Sequence, residues 1–109
     1  LTPWRNSLSA VNRALGMLGL CARARKLACG AQPAVNAVRS GRAWLVVLDT
    51  SAGPNTRKMV ENACRHHGVR LCLADGLGRA VGKYGRMAVA VLDEGMARRI
   101  IELFDRESG

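Results

Sequence analysis

Lys26 to Gly41 reads KLACGAQPAVNAVRSG, and the fold follows from how this stretch is parsed. Gly30 and Gly41 bracket a short helix, AQPAVNAVRS. Within it Ala34, Ala37 and Val38 fall at i, i+3 and i+4, which gives one small-to-medium apolar face. Gly30 frees the backbone for a close approach just before the helix. Pro33 suits a first turn, where a missing N–H costs little, and Gly41 is a natural stop at C′. Leu27–Cys29 reads as a very short strand leading into Gly30, and Arg23, Arg25 and Lys26 precede it. The expected product is an exposed helix N-terminus beside cationic side chains. Its unpaired N–H groups and positive dipole end favour an anion.

Working outward, apolar residues at Leu8, Val11, Leu15, Leu18 and Ala22 predict a helix over about Ser7–Arg23, with Ser7 or Ser9 as N-cap. Downstream, AWLVVL (residues 43–48) is a continuous apolar run and predicts a strand covered on both faces. DTSAGPN (49–55) is a loop with turn chemistry throughout. Thr56–His67 predicts a helix capped by Asn55 and stopped by Gly68, with Met59, Val60, Ala63 and Cys64 as its apolar stripe. VRLCLA (69–74) predicts a strand in which Val69, Leu71 and Leu73 alternate. DGLGRAVG (75–82) reads as a short helix with glycine at both ends, KYGR (83–86) as a basic loop, and MAVAVL (87–92) as another apolar strand. Asp93 and Glu94 open a last helix, whose apolar face is Met96, Ala97, Ile100, Ile101 and Phe104. Asp75 and Asp93 are both expected to be N-caps. This alternation predicts an α/β chain with helices on both faces of a sheet. At 109 residues it makes one domain, residues 1–109.

Charge limits the function classes. Lys and Arg number 17 against 8 Asp and Glu, a formal net charge of +9, and fourteen of the seventeen cations are arginine. Arginine's planar fork grips phosphate bidentately and stacks on bases, so a nucleic-acid partner is expected. The aromatics are only Trp4, Trp44, Tyr84 and Phe104. That is too few for the stacking platforms of RRM or OB-type single-strand binders, so recognition of a folded backbone fits better. No apolar run approaches the roughly 20 residues of a membrane helix. The amphipathic start does not read as a signal peptide, and a cytoplasmic protein is expected.

Catalytic and cofactor chemistry is hard to find. The glycines Gly76, Gly78 and Gly82 miss the dinucleotide-binding spacing, and GKYGR is not a phosphate loop of the Walker type. Cys21, Cys29, Cys64 and Cys72 contain no C-x-x-C pair, so they read as small buried hydrophobes, with a Cys21–Cys29 bridge left open. His66 and His67 read as a solvated pair at a helix C-terminus. Asp49 ends a strand where α/β enzymes place catalytic groups, yet it has no acid–base partner in sequence. No catalytic residue, metal or cofactor is expected. What remains is cationic loops: Arg23, Arg25 and Lys26 before Gly30, and Arg79, Lys83 and Arg86 around the second glycine-rich turn. In an α/β domain these two loops are expected to share one edge.

GAQPAVNAVRSG, the strand AWLVVL and LGRAVGKYGRMAVAV, in this order and spacing, resemble the L7Ae kink-turn-binding ribosomal protein family, most closely its short bacterial YlxQ-type branch. The resemblance covers about Leu15–Ile101. It implies a three-layer α/β/α sandwich with a mixed four-stranded sheet. It also implies a non-catalytic, monomeric, translation-associated protein that binds kink-turns, sharply bent RNA helices with tandem sheared G·A pairs, on rRNA or another structured RNA, with the ribosome as one candidate host. By position, Lys26 matches a basic residue ahead of the glycine, and Gly30 and Ala31 match the Gly-Ala that opens the RNA-docking helix. Gln32 matches an amide that reaches a base edge. Lys83–Met87 with Ala88 and Val89 match the second RNA-contacting loop, where Met87 would pack on an extruded base. Asn36, Arg79 and Arg86 complete the expected RNA contacts. Pro33 stands where the family has a guanine-bonding Glu, Asn36 where it has a Lys, and Thr50 and Ser51 where acids are common. Base discrimination is therefore expected to weaken. The alternatives left by the residues alone are a protein-interaction adaptor and a small nucleotide-binding or RNA-modification accessory protein.

Overall fold

The computed structural model describes the backbone of residues 3–82 and 85–108 and the side chains of residues 13–82 and 85–106. Helices and strands alternate as α1 (Pro3–Arg23), β1 (Leu27–Cys29), α2 (Ala31–Arg39), β2 (Leu45–Asp49), α3 (Pro54–His67), β3 (Arg70–Ala74), α4 (Leu77–Ala80), β4 (Ala88–Val91) and α5 (Glu94–Ser108). The strands form one mixed sheet in the order β1-β4-β2-β3. β2 and β3 run parallel, and β4 is antiparallel to both β1 and β2.

The period of two in the central strands sorts the helices into layers. Leu45, Val47, Val89 and Val91 point to one face, where they pack with Leu18 of α1, Leu77 of α4, and Ile100 and Leu103 of α5. Val46, Leu48, Ala88 and Ala90 point to the other, against Val35 and Val38 of α2 and Val60 of α3. β2 and β4 are buried along their whole length. This is why both read as unbroken apolar runs rather than as alternations. The three-layer α/β/α sandwich with a mixed four-stranded sheet is the architecture the sequence leads one to expect.

Chain ends and turns differ from expectation in several places. α1 begins at Pro3, so Ser7 and Ser9 lie inside it and neither is an N-cap. α3 begins at Pro54 with Gly53 as N-cap, because the fixed φ of proline pre-organises the first helical position; Asn55 falls in the first turn instead. Asp75 does not cap α4. Gly76 occupies that position in the left-handed region at φ 71°, and the Asp75 carboxylate accepts the Thr50 hydroxyl. Asp93 does cap α5, accepting the Met96 amide at 2.9 Å. Gly41 is the C′ residue of α2, with its amide on Val38 O and the Arg42 amide on Ala37 O, a Schellman pair. α1 ends in the same pattern: the Arg25 amide bonds Ala22 O and the Lys26 amide bonds Cys21 O. Here the left-handed residue is Arg25, at φ 58°.

β3 is an edge strand, and its burial departs from the expected alternation. Cys72 and Ala74 are buried, Val69 and Leu71 are half-buried under α2 and α3, and Leu73 is 49% exposed because the helical cover ends before it. Cys21, Cys64 and Cys72 are buried thiols and Cys29 is half-buried; no bridge joins Cys21 to Cys29. Among the described residues no helix is long and apolar enough to cross a membrane.

Candidate nucleic-acid interface

The sheet brings four chain segments to one edge. Cys29 pairs with Val89, Leu48 with Ala88 and Asp49 with Ala74. The end of β1, the start of β4 and the ends of β2 and β3 therefore lie side by side. Two short hydrogen bonds lock the loops there. The Gly30 amide donates to Ala88 O at 2.7 Å, and the Asp49 amide donates to Met87 O at 2.7 Å. The turn into α2 and the loop ahead of β4 are thus neighbours, whereas the cationic turn of residues 23–26, expected at the same edge, lies at the opposite end of β1.

Gly30 is the N-cap of α2 at φ 110° and ψ 155°, a conformation reserved for glycine. No side chain caps this helix and its first turn holds no acid. The amides of Ala31 and Gln32 have no intrahelical acceptor, and Pro33 has no N–H to offer. A Cβ on Gly30 would stand 3.3 Å from Pro33 Cδ and 3.4 Å from Arg86 Nη1, so the Arg86 guanidinium lies directly over the cap glycine. A cation and the positive end of a helix dipole thus lie close together. Two positive ends so placed are an arrangement that an anion would stabilise.

Along α2, Gln32 Nε2 donates to Asn36 Oδ1 at 3.0 Å on the exposed face. Each amide orients the other, which leaves Gln32 Oε1 to accept and Asn36 Nδ2 to donate. Met87 is half-buried with its sulfur 3.6 Å from Ser51 Oγ. Beneath it is Asp49, 6% exposed. Asp49 Oδ1 accepts the Ser51 amide at 2.9 Å and hydroxyl at 2.7 Å, and Oδ2 accepts the Leu77 amide at 2.9 Å. Burial alone would push this carboxyl up, but the bonds from Ser51 and Leu77 outweigh it and hold the group below its ordinary value. Asp49 is a buried staple joining β2, the Ser51 turn and α4, not a catalytic acid. Its role shows in the sequence only as the Asp-x-Ser spacing of an Asx turn.

The structure gathers some of the predicted contact residues and disperses others. Gly30, Ala31, Gln32, Asn36, Arg86 and Met87 come together around the α2 N-terminus. Ala88 lies at the same edge, but its side chain is buried under α2 and α3, so it supports the site through its carbonyl and does not face outward. Lys26 is at the far end of β1, where its carbonyl accepts the Leu92 amide. Four residue steps through β1, roughly 13 Å, separate it from Gly30. Sequence adjacency is misleading there because β1 runs the full height of the sheet between them. Arg79 sits on α4 and, with Arg23 of α1, lines a separate groove. Lys83 lies outside the described residues.

Ion pairing sharpens the charge picture. Arg57, Arg70, Arg98 and Arg99 pair with Glu61, Asp105, Glu94 and Glu102. All four pairs are on α3, β3 and α5. Among the described residues no ion pair engages the cations of residues 13–42 or 79–86. Unpaired cations thus cover the α1–β1–α2 region and the α4–β4 segment, with Lys58 and Arg65 on α3 and Arg106 on α5 also outside any ion pair among the described residues. No group of three or more His, Cys, Asp or Glu among the described residues is placed to hold a metal.

The chain is similar to known proteins over most of its length. The family described as Ribosomal protein L7Ae/L30e/S12e/Gadd45 matches residues 12–101. RNA-binding protein YlxQ of Bacillus subtilis (strain 168) is 39% identical over 92 residues, 82% of this chain and 92% of the relative. A Bacillus halodurans protein described as of unknown function superposes with a TM-score of 0.79 at 37% identity, covering 84% of this chain and 96% of the other. The Giardia lamblia 15.5kD RNA binding protein superposes with a TM-score of 0.71 at 20% identity, covering 90% and 88%, a likeness of fold.

Proposed function

The chain belongs to the Ribosomal protein L7Ae/L30e/S12e/Gadd45 family, and from that premise we propose that it is a non-catalytic RNA-binding protein that docks on bent, kink-turn-like RNA. The observation that carries this reading is the stacking of Arg86 over Gly30 at an uncapped, acid-free helix N-terminus. A phosphate at the bend would accept the Ala31 and Gln32 amides and the Arg86 guanidinium together. Gln32 Oε1 and Asn36 Nδ2 would meet base edges, and Met87 would pack on an extruded base. Gln32 Oε1 is the acceptor available to a guanine edge where Pro33 has none. The natural target is rRNA or another structured RNA of the cytoplasm, bound by a monomer, with a place in translation.

The test is a binding titration with a kink-turn RNA. Arg86→Glu should weaken affinity at least tenfold and flatten its salt dependence by about one unit of log–log slope. Unchanged affinity and slope would remove the α2 N-terminus from the interface.

A further inference from the structure

Arg23 and Arg79, 56 positions apart in sequence, come to one groove of about 350 Å³ between α1 and α4. Besides the two arginines it is lined by Gly19, Ala22, Ala80, Val81 and Gly82, none larger than valine. α1 and α4 meet so closely here that a Cβ on Gly19 would stand 3.0 Å from Ala80 O. The two helices are therefore held close, and Arg23 and Arg79, both exposed, stand at the groove between them. Among the described residues neither arginine has an ion pair, although every described acidic side chain accepts a hydrogen bond or a salt bridge elsewhere in the fold.

We infer that this groove is a second nucleic-acid subsite, one that binds the phosphodiester backbone of the helix flanking the bend. The inference rests on the RNA-binding reading above and extends its footprint. Two planar forks at a groove without large apolar anchors fit a sugar–phosphate strand better than an apolar peptide. The groove is also contiguous in chain with the first interface. Arg79 and Gly82 lead to Arg86 and Met87, so at most roughly 25 Å of chain separates Arg79 from Arg86. The comparable groove between α2 and α3 carries a single arginine, Arg39, beside Asn62, His66 and His67, so it offers a phosphodiester strand one fork rather than two. Contacts of this kind add affinity without reading bases.

The experiment compares two kink-turn RNAs, one with a long and one with a shortened flanking helix, against the native chain and the double variant Arg23→Gln/Arg79→Gln. Both side chains are exposed, and unchanged thermal melts establish that the variant folds. The native chain should lose about tenfold in affinity when the helix is shortened. The variant should lose as much on the long RNA, show a salt slope lower by about one unit per arginine, and lose little more on the short RNA. Native affinity and slope in the variant would overturn the subsite while leaving the Arg86 interface standing. If the native chain binds neither RNA, both readings fall. If an acidic protein binds the groove in place of RNA, the subsite as assigned falls.

Discussion

The Gly30 amide and the Ala88 carbonyl, 58 residues apart in sequence, are joined by a 2.7 Å hydrogen bond. That bond fixes the distance between the uncapped helix end and the loop that carries Arg86 and Met87. It forms because Gly30 adopts φ 110°, which turns the chain from β1 into α2 within one residue.

Gly30→Ala should therefore be costly in two ways. The backbone conformation is closed to a side chain, and the new Cβ meets Pro33 Cδ and Arg86 Nη1 at 3.3 and 3.4 Å. A loss of about 1–3 kcal/mol in denaturant unfolding is expected, with RNA affinity falling further as Arg86 is displaced. Full stability in the variant would show that the turn relaxes to another geometry.

Arg25 is the reverse case. It holds the left-handed position at the end of α1 with φ 58°, where a side chain is strained and glycine is not. Arg25→Gly should raise stability by about 0.5–1 kcal/mol in urea unfolding. A drop would mean that the arginine side chain contributes packing that outweighs its strain.

Asp49 ties folding to pH. Its folded carboxyl lies below its ordinary value of 3.8, because hydrogen bonds from Ser51 and Leu77 prevail over burial. A depressed value means stability that is fully present above the ordinary value and is lost as pH falls through the folded one. Asp49→Asn should cost about 1–3 kcal/mol at neutral pH, since an amide NH2 would face the Leu77 amide or the Ser51 donors. The gap between native and variant should narrow as pH falls below about 4. A gap that stays constant down to strong acid would remove the carboxylate charge from the explanation.

Burial pushes the thiols of Cys21 and Cys64 up to about 11 from the ordinary 9.0, with Asp93 adding to the effect at Cys21. Both should resist alkylation by iodoacetamide at pH 8 in the folded chain and react readily once it unfolds. A raised value also places stability below pH 9 that is lost between 9 and about 11. Labelling of the folded chain at the unfolded rate would contradict their burial.

Much of this was legible in the residues, for definite reasons. β2 and β4 are apolar without interruption because they lie in the middle of the sheet, and Gly41, Gly68 and Asp93 mark helix ends that the backbone then adopts. The geometry of the candidate site was legible where it depends on local chemistry, at the Gly30 turn into α2. It was not legible where it depends on strand direction. Lys26 looks adjacent to Gly30 in sequence, but β1 carries it to the other edge. Ala88 looks like part of a contact loop, but the pleat turns its side chain inward. Asp49 and Ser51 gave only a turn signal, since their function comes from Leu77 and Met87, which fold back from far along the chain. Leu73 continues an alternation whose cover the sequence cannot show to be missing.

The most direct measurement is affinity for a kink-turn RNA and for the same RNA with its G·A pairs replaced by Watson–Crick pairs, each across a salt series. The expected result is a preference for the kink-turn of tenfold or more, about 1.4 kcal/mol, held by Gln32 and Asn36 without an acid at position 33. Equal and steeply salt-dependent binding to both RNAs, or binding to neither, would contradict recognition of the bend.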